Sequence, residues 1–91
     1  MHAEYKVPGG KLVVADLEVV DGQMRNVRIS GDFFLEPPEA LDAINDALEG
    51  MPVEASETEI ALAVQLALPD KAELFGFSSE AVAVTVGRAL G

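Results

Sequence analysis

The sequence predicts an α+β domain in which a small antiparallel sheet of about three strands carries about three helices on one face, a two-layer sandwich. Three observations lead there. Most of residues 2–33 alternate apolar and polar side chains with the period of a strand. Asp21-Gly22, the dipeptide favoured in a two-residue hairpin turn, falls within that stretch. From Pro37 onward, apolar residues recur at helical spacing behind helix-starting signals. Residues 1–91 read as a single domain, with no internal repeat, linker or low-complexity tract.

The first strand alternates Ala3, Tyr5 and Val7 with His2, Glu4 and Lys6 and ends at Pro8. Gly9-Gly10 makes a turn, because glycine takes positive φ without steric cost. A long strand, 11–20, sets Val13, Ala15, Leu17 and Val19 on one face and Asp16 and Glu18 on the other. After the Asp21-Gly22 turn, the return strand, 23–33, places Val27, Ile29, Gly31 and Phe33 on one face and Asn26, Arg28 and Ser30 opposite.

Pro37 and Pro38 suit the first turn of a helix, where no intrahelical N–H bond is lost. Leu41, Ile44 and Leu48 form its stripe, with Ala40 and Ala47 beside them, and Gly50 ends it. Ser56 and Glu59 have the spacing of a capping box and open a second helix. That helix is apolar on two sides, Ile60, Val64 and Ala67 on one and Leu62 and Leu66 on another, so each side calls for cover. In the last segment, Ser78 or Ser79 caps a helix bearing Val82, Val86, Ala89 and Leu90, yet AVAVTV also alternates like a strand. The cap and the GRALG ending favour helix.

Composition narrows the function. A chain this short buries only ~60–65% of its unfolded surface, but 49% hydrophobic residues supply a core and exclude disorder. No stretch reaches the ~20 apolar residues of a membrane-spanning helix, and the N-terminus lacks the apolar run of a signal peptide. No cysteine is present, which agrees with a cytoplasmic location and removes disulfides and thiolate chemistry. Sixteen acidic against six basic residues give a net charge of −10, which disfavours nucleic acid and anionic membranes as partners. The charge serves solubility, as in a salty cytoplasm, or complements a more basic protein partner.

No catalytic or metal-binding constellation emerges. His2 is the sole histidine and sits at a terminus expected to fray, and the carboxylates have the spacing of solvated helix faces. KVPGGKL, residues 6–12, sets Lys6 and Lys11 around Gly9 and Gly10, whose backbone amides could approach an anion such as a phosphate. It lacks the spacing of a Walker A loop, and the plainer reading is a turn with solubilising lysines. Asp32, after Gly31, reads as a turn or cap residue. Phe33 continues the core face, so the adjacent Phe34 faces the other way or packs under the proline turn. Leu12, Val14 and Val20, with Met24 beside them, lie opposite the main apolar face. They form either a binding patch or a surface covered by the termini or a bulge.

The succession KVPGGKLV, VVDGQMRNVRISGDFF, EALDAINDALEGMP and LFGFSSEAV resembles the C-terminal accessory domain of lipoate–protein ligases. The order strand, DG, strand, GDFF, helix, LEG carries most of the likeness, which spans nearly the whole chain. In that family a large catalytic domain with a biotin-ligase-like fold activates lipoate with ATP to lipoyl-AMP. It then transfers the lipoyl group to a lysine of a lipoyl-domain acceptor. The small domain follows it in one chain or is a separate polypeptide, and a chain starting at Met1 looks like the separate form.

The resemblance implies a non-catalytic accessory subunit, paired with a catalytic subunit and through it with lipoyl-domain proteins. Lipoate, ATP and Mg belong to that catalytic partner, and none is expected on this chain alone. No catalytic residue of the family has a counterpart here. Lys6, Gly9, Gly10 and Lys11 are the expected approach to the partner's active site, with the lysines holding triphosphate or adenylate. Asp32, Phe33 and Phe34 are expected to support that edge or the interface. The alternative is a stand-alone acidic protein-interaction module unrelated to lipoate; an independent small enzyme lacks a nucleophile or base.

Overall fold

β1 (His2–Lys6), β2 (Leu12–Val20) and β3 (Gln23–Gly31) form an antiparallel sheet in that order in the computed structural model, which describes residues 1–91. The β2–β3 hairpin turns on Asp21 (φ 54°) and Gly22 (φ 74°). Two consecutive positive φ angles are what a turn matched to the twist of the strands requires. β1 is tied at its start, because the Met1 ammonium donates to the Leu17 carbonyl at 2.7 Å and the Leu17 amide donates to the Met1 carbonyl at 2.9 Å. The terminus expected to fray is therefore held.

A bulge resets the face of β3. Asp16 pairs with Arg28 and Glu18 with Arg25, so the single residue Leu17 stands opposite both Asn26 and Val27. Asn26 takes the left-handed conformation, φ 53°, the extra residue of a bulge. The side-chain period slips by one, and Met24 joins Val27 and Ile29 in the core. This corrects the placement of Met24 on an outer apolar patch. Val13, Ala15 and Leu17 are buried as expected, whereas Val19 is exposed near the hairpin end. On the outer face, half-buried Leu12 and Val14 are interleaved with His2, Glu4, Lys6, Asp16 and Arg28.

The three helices lie on the inner face. α1 (Ala40–Leu48) rests on β3, α3 (Ser79–Leu90) on β1 and β2, and α2 (Glu57–Ala67) packs between α1 and α3. Pro37 and Pro38 precede α1; their carbonyls accept from the Ala40 and Leu41 amides at 3.0 and 3.2 Å as the chain winds into the helix. Ile44, Leu48, Ile60, Val64, Val82 and Val86 are fully enclosed. α2 begins with the complete capping box, the Glu59 amide donating to Ser56 Oγ at 3.1 Å and the Ser56 amide to Glu59 Oε1 at 2.9 Å. That bond holds the Glu59 carboxyl below the ordinary glutamate range. Ser78 caps α3 through the Ala81 amide at 3.1 Å, so the last segment is helix. Leu62 and Leu66 on the second side of α2 stay exposed.

The free edge of β3 is closed by α1 and the chain that follows it. Val27 and Ile29 amides donate to Glu49 Oε1 at 2.6 Å and Asn45 Oδ1 at 2.9 Å, and Met24 exchanges backbone bonds with Gly50 and Met51. Satisfying these groups removes a template for edge pairing. The return strand was expected to continue to Phe33 but stops at Gly31. β4 (Phe34–Glu36) instead pairs with β5 (Glu73–Phe75) as a separate two-stranded ribbon.

Candidate functional site

At one end of the sheet three segments meet: the 7–11 turn, residues 31–34 and residues 75–77. Glycine permits each approach. A Cβ on Gly31 (φ 148°) would stand 2.1 Å from the Leu12 carbonyl oxygen, and one on Gly10 would stand 2.6 Å from that of Gly76. The Asp32 amide donates to the Leu12 carbonyl at 3.1 Å, and the Lys11 amide to the Gly76 carbonyl at 2.8 Å. Phe33 is buried and stacks on Phe77, ring centroids 3.9 Å apart and planes 26° apart. The turn is thus welded to the ribbon through main chain and to the core through two rings.

The sequence-predicted residues come together here in different ways. Phe33 is structural and Asp32 exposed, held only through its amide. Gly10 and Lys11 amides are engaged by Val7 and Gly76 carbonyls, which leaves Gly9 as the turn amide with no partner inside the protein. The expected anion cradle of several amides is correspondingly reduced, because the turn uses them to close itself and to dock on Gly76. The Lys6 ammonium folds back onto the turn and donates to the Gly10 carbonyl. The Lys11 stem lies against Gly76, so close that a Cβ there would be 2.4 Å from Lys11 Cγ, while the residue as a whole is exposed.

Phe34 faces outward, 71% exposed, directly opposite Phe75, which is 47% exposed. Sequence reasoning missed Phe75, Gly76 and Phe77 as partners of the GDFF stretch. Their signal was the pairing of FLE at 34–36 with ELF at 73–75, which in antiparallel register sets like against like. A separate shallow cleft of about 280 Å³ opens between α2 and α3, lined by Glu57, Thr58, Ala61, Glu80, Ala83 and Val84. It includes none of the predicted site residues. No three His, Asp or Glu side chains cluster as metal ligands, and no helix is long and apolar enough to cross a membrane.

On the outer face His2 lies between two carboxylates, with Nδ1 2.6 Å from Asp16 Oδ1 and Nε2 3.0 Å from Glu4 Oε2. These bonds, that to Asp16 foremost, raise the imidazole pKa above 6.5. The arrangement favours a cation locked into surface contacts rather than a free base.

The α+β domain thus presents a lysine-flanked turn beside an outward aromatic pair. Residues 1–82 match the family described as the bacterial lipoate protein ligase C-terminus, and the chain belongs to that family. Among solved structures it is similar to a chain from Thermoplasma acidophilum in an archaeal lipoylation system, described as a bi-partite lipoate protein ligase and its E2 lipoyl domain. The two share 21% identity and superpose with a TM-score of 0.69 over 94% of this chain and 97% of that one, which shows a common fold. No curated protein sequence matches significantly.

Proposed function

We propose that this chain is a non-catalytic accessory subunit of a lipoate–protein ligase. It works with a catalytic subunit that uses ATP to convert lipoate to lipoyl-AMP before transfer to a lysine of a lipoyl-domain protein. Family membership over residues 1–82 carries this reading. The fold shared along nearly the whole of a chain from a bi-partite ligase supports it. Lipoate, ATP and Mg sit on the catalytic subunit, and that subunit supplies the catalytic lysine.

The chain's own contribution is positional. Lys11, held at the mouth of the 7–11 turn by the hydrogen bond its amide donates to the Gly76 carbonyl, brings a cation to the partner's nucleotide site as the subunit closes. Lys6 stiffens the turn by binding the Gly10 carbonyl and adds a second positive charge. Two cations near a developing phosphoanhydride displacement stabilise the charge on the phosphates, and closure excludes water from the adenylate. Gly9 and Gly10 keep the turn narrow enough to enter. Asp32 and Phe33 hold the edge behind it, and Phe34 faces the partner.

The test is ATP-dependent lipoyl-AMP formation by the catalytic subunit, with and without this chain. Formation in the mixture alone is the expected result. Equal formation by the catalytic subunit alone, with no complex on gel filtration, overturns the reading.

A further inference from the structure

The outward face of the β4–β5 ribbon carries one aromatic and one acidic cross-strand pair, both open to solvent. Pairing sets Phe34 against Phe75 and Glu36 against Glu73, all four exposed, while Leu35 and Leu74 turn inward onto the core. Side chains two apart along a strand share a face, so the aromatic pair and the carboxylate pair are neighbours. Like charges directly opposite each other destabilise a ribbon. The ion pairs of this fold all belong to His2, so neither carboxylate has a cation within 4.0 Å. Phe34 and Phe75 support the ribbon as a cross-strand pair but leave apolar area in water. A three-residue ribbon is weak alone, yet this one is anchored through Leu35 and Phe33, which makes the outward face a fixed platform.

We propose that this face seats the catalytic subunit, through a segment of that partner bearing arginine or lysine beside an apolar residue. The inference rests on the accessory-subunit reading above. A guanidinium stacks flat on the face of an aromatic ring while its N–H groups reach carboxylates beside it, and a lysine packs its aliphatic stem on the ring with its ammonium toward them. That chemistry fits Phe34 and Phe75 with Glu36 and Glu73, because it covers the exposed rings and neutralises the opposed carboxylates at once. A net charge of −10 steers a basic surface toward this chain and sets a second copy against it, since two copies face to face would bring four of these carboxylates together. The face is also continuous with the predicted active-site approach, because Gly76, which follows Phe75, holds the Lys11 amide.

Binding of the whole chain to the catalytic subunit is measured by titration calorimetry for wild type, Phe34→Ser with Phe75→Ser, and Glu36→Gln with Glu73→Gln. The aromatic variant is expected to weaken Kd at least about tenfold, as loss of a central aromatic anchor does. The amide variant is expected to weaken Kd and to flatten its dependence on NaCl. Far-UV circular dichroism of both variants should match wild type, with Tm of the amide variant at or above it and Tm of the aromatic variant slightly below it. If either double variant fails to fold, Phe34→Ala and Glu36→Lys replace them, each expected to weaken Kd. Wild-type affinity in every variant overturns the placement and leaves the accessory reading intact. No binding by wild type overturns both. A homodimer of the isolated chain that Phe34→Ser abolishes also overturns it, by assigning the face to a second copy.

Discussion

Phe33→Ala removes one of two stacked rings at the junction between the sheet and the ribbon. Phe33 is 9% exposed and lies 3.9 Å from Phe77 between centroids, so the deletion leaves a cavity and an unpartnered ring. Truncating a buried phenylalanine costs about 3–5 kcal/mol. A ring pair contributes ~0.5–1.5 kcal/mol beyond area alone, which places this site toward the upper part of that range. At ~0.05–0.15 kcal/mol per residue a domain of this length has about 5–14 kcal/mol in total, so roughly 30% or more of it is at risk. A loss of about 4 kcal/mol lowers Tm by roughly 15–30 °C in a domain this small. Urea unfolding followed by far-UV circular dichroism should show a lower midpoint at unchanged slope. Phe34→Ala is the internal control; its ring is exposed and should change stability by no more than about 0.5 kcal/mol. A loss under about 1 kcal/mol for Phe33→Ala, or equal losses for the two, would refute the division of the rings into core and surface.

Three further outcomes are expected. Lys11→Ala should leave urea stability within about 0.5 kcal/mol of wild type and reduce lipoyl-AMP formation by the reconstituted pair; unchanged adenylation removes Lys11 from the mechanism. Gly76→Ala adds a Cβ against Lys11 Cγ at a residue with φ +87° and should cost about 1–2 kcal/mol by thermal unfolding, and a neutral result would mean that the turn does not bear on that position. The imidazole of His2 titrates above 6.5 in the folded chain, so its contacts with Asp16 and Glu4 stabilise fully below pH 6.5 and fade as pH rises through the raised value. A proton NMR titration should find that elevation and its reduction in Asp16→Asn; an identical midpoint in both proteins would show that Asp16 is not its cause.

The elements with strong local chemistry were legible in the sequence. The Asp21-Gly22 turn, the Ser56–Glu59 box and the Ser78 cap each satisfy backbone groups within a few residues, so their spacing is their geometry. The bulge at Asn26 was not legible, because an asparagine among alternating residues gives no local sign that it will take positive φ, and the error carried Met24 to the wrong face. The ribbon was hidden for a different reason. Its strands have three residues each, 37 apart, and long-range pairing leaves no period to detect. Of the candidate site, the 7–11 turn and the outward Phe34 were readable, whereas the aromatic partner across the ribbon and the glycine beneath the turn were not.

Those missing residues join the ribbon to the turn that carries Lys11. Gly10, Gly31 and Gly76 have no side chain where the main chains of three segments touch, and each absence allows an approach that a Cβ would block. The turn carrying Lys11, the edge carrying Asp32 and the ribbon carrying Phe34 and Phe75 are therefore joined through main-chain hydrogen bonds. Leu35, Phe33 and Phe77 tie that unit to the helices. A partner segment on the proposed ribbon face would lie one peptide unit, Phe75 to Gly76, and one hydrogen bond from Lys11. In the proposed accessory role, docking on the ribbon and delivery of Lys11 to the partner's active site would then be a single event, as lid closure is elsewhere.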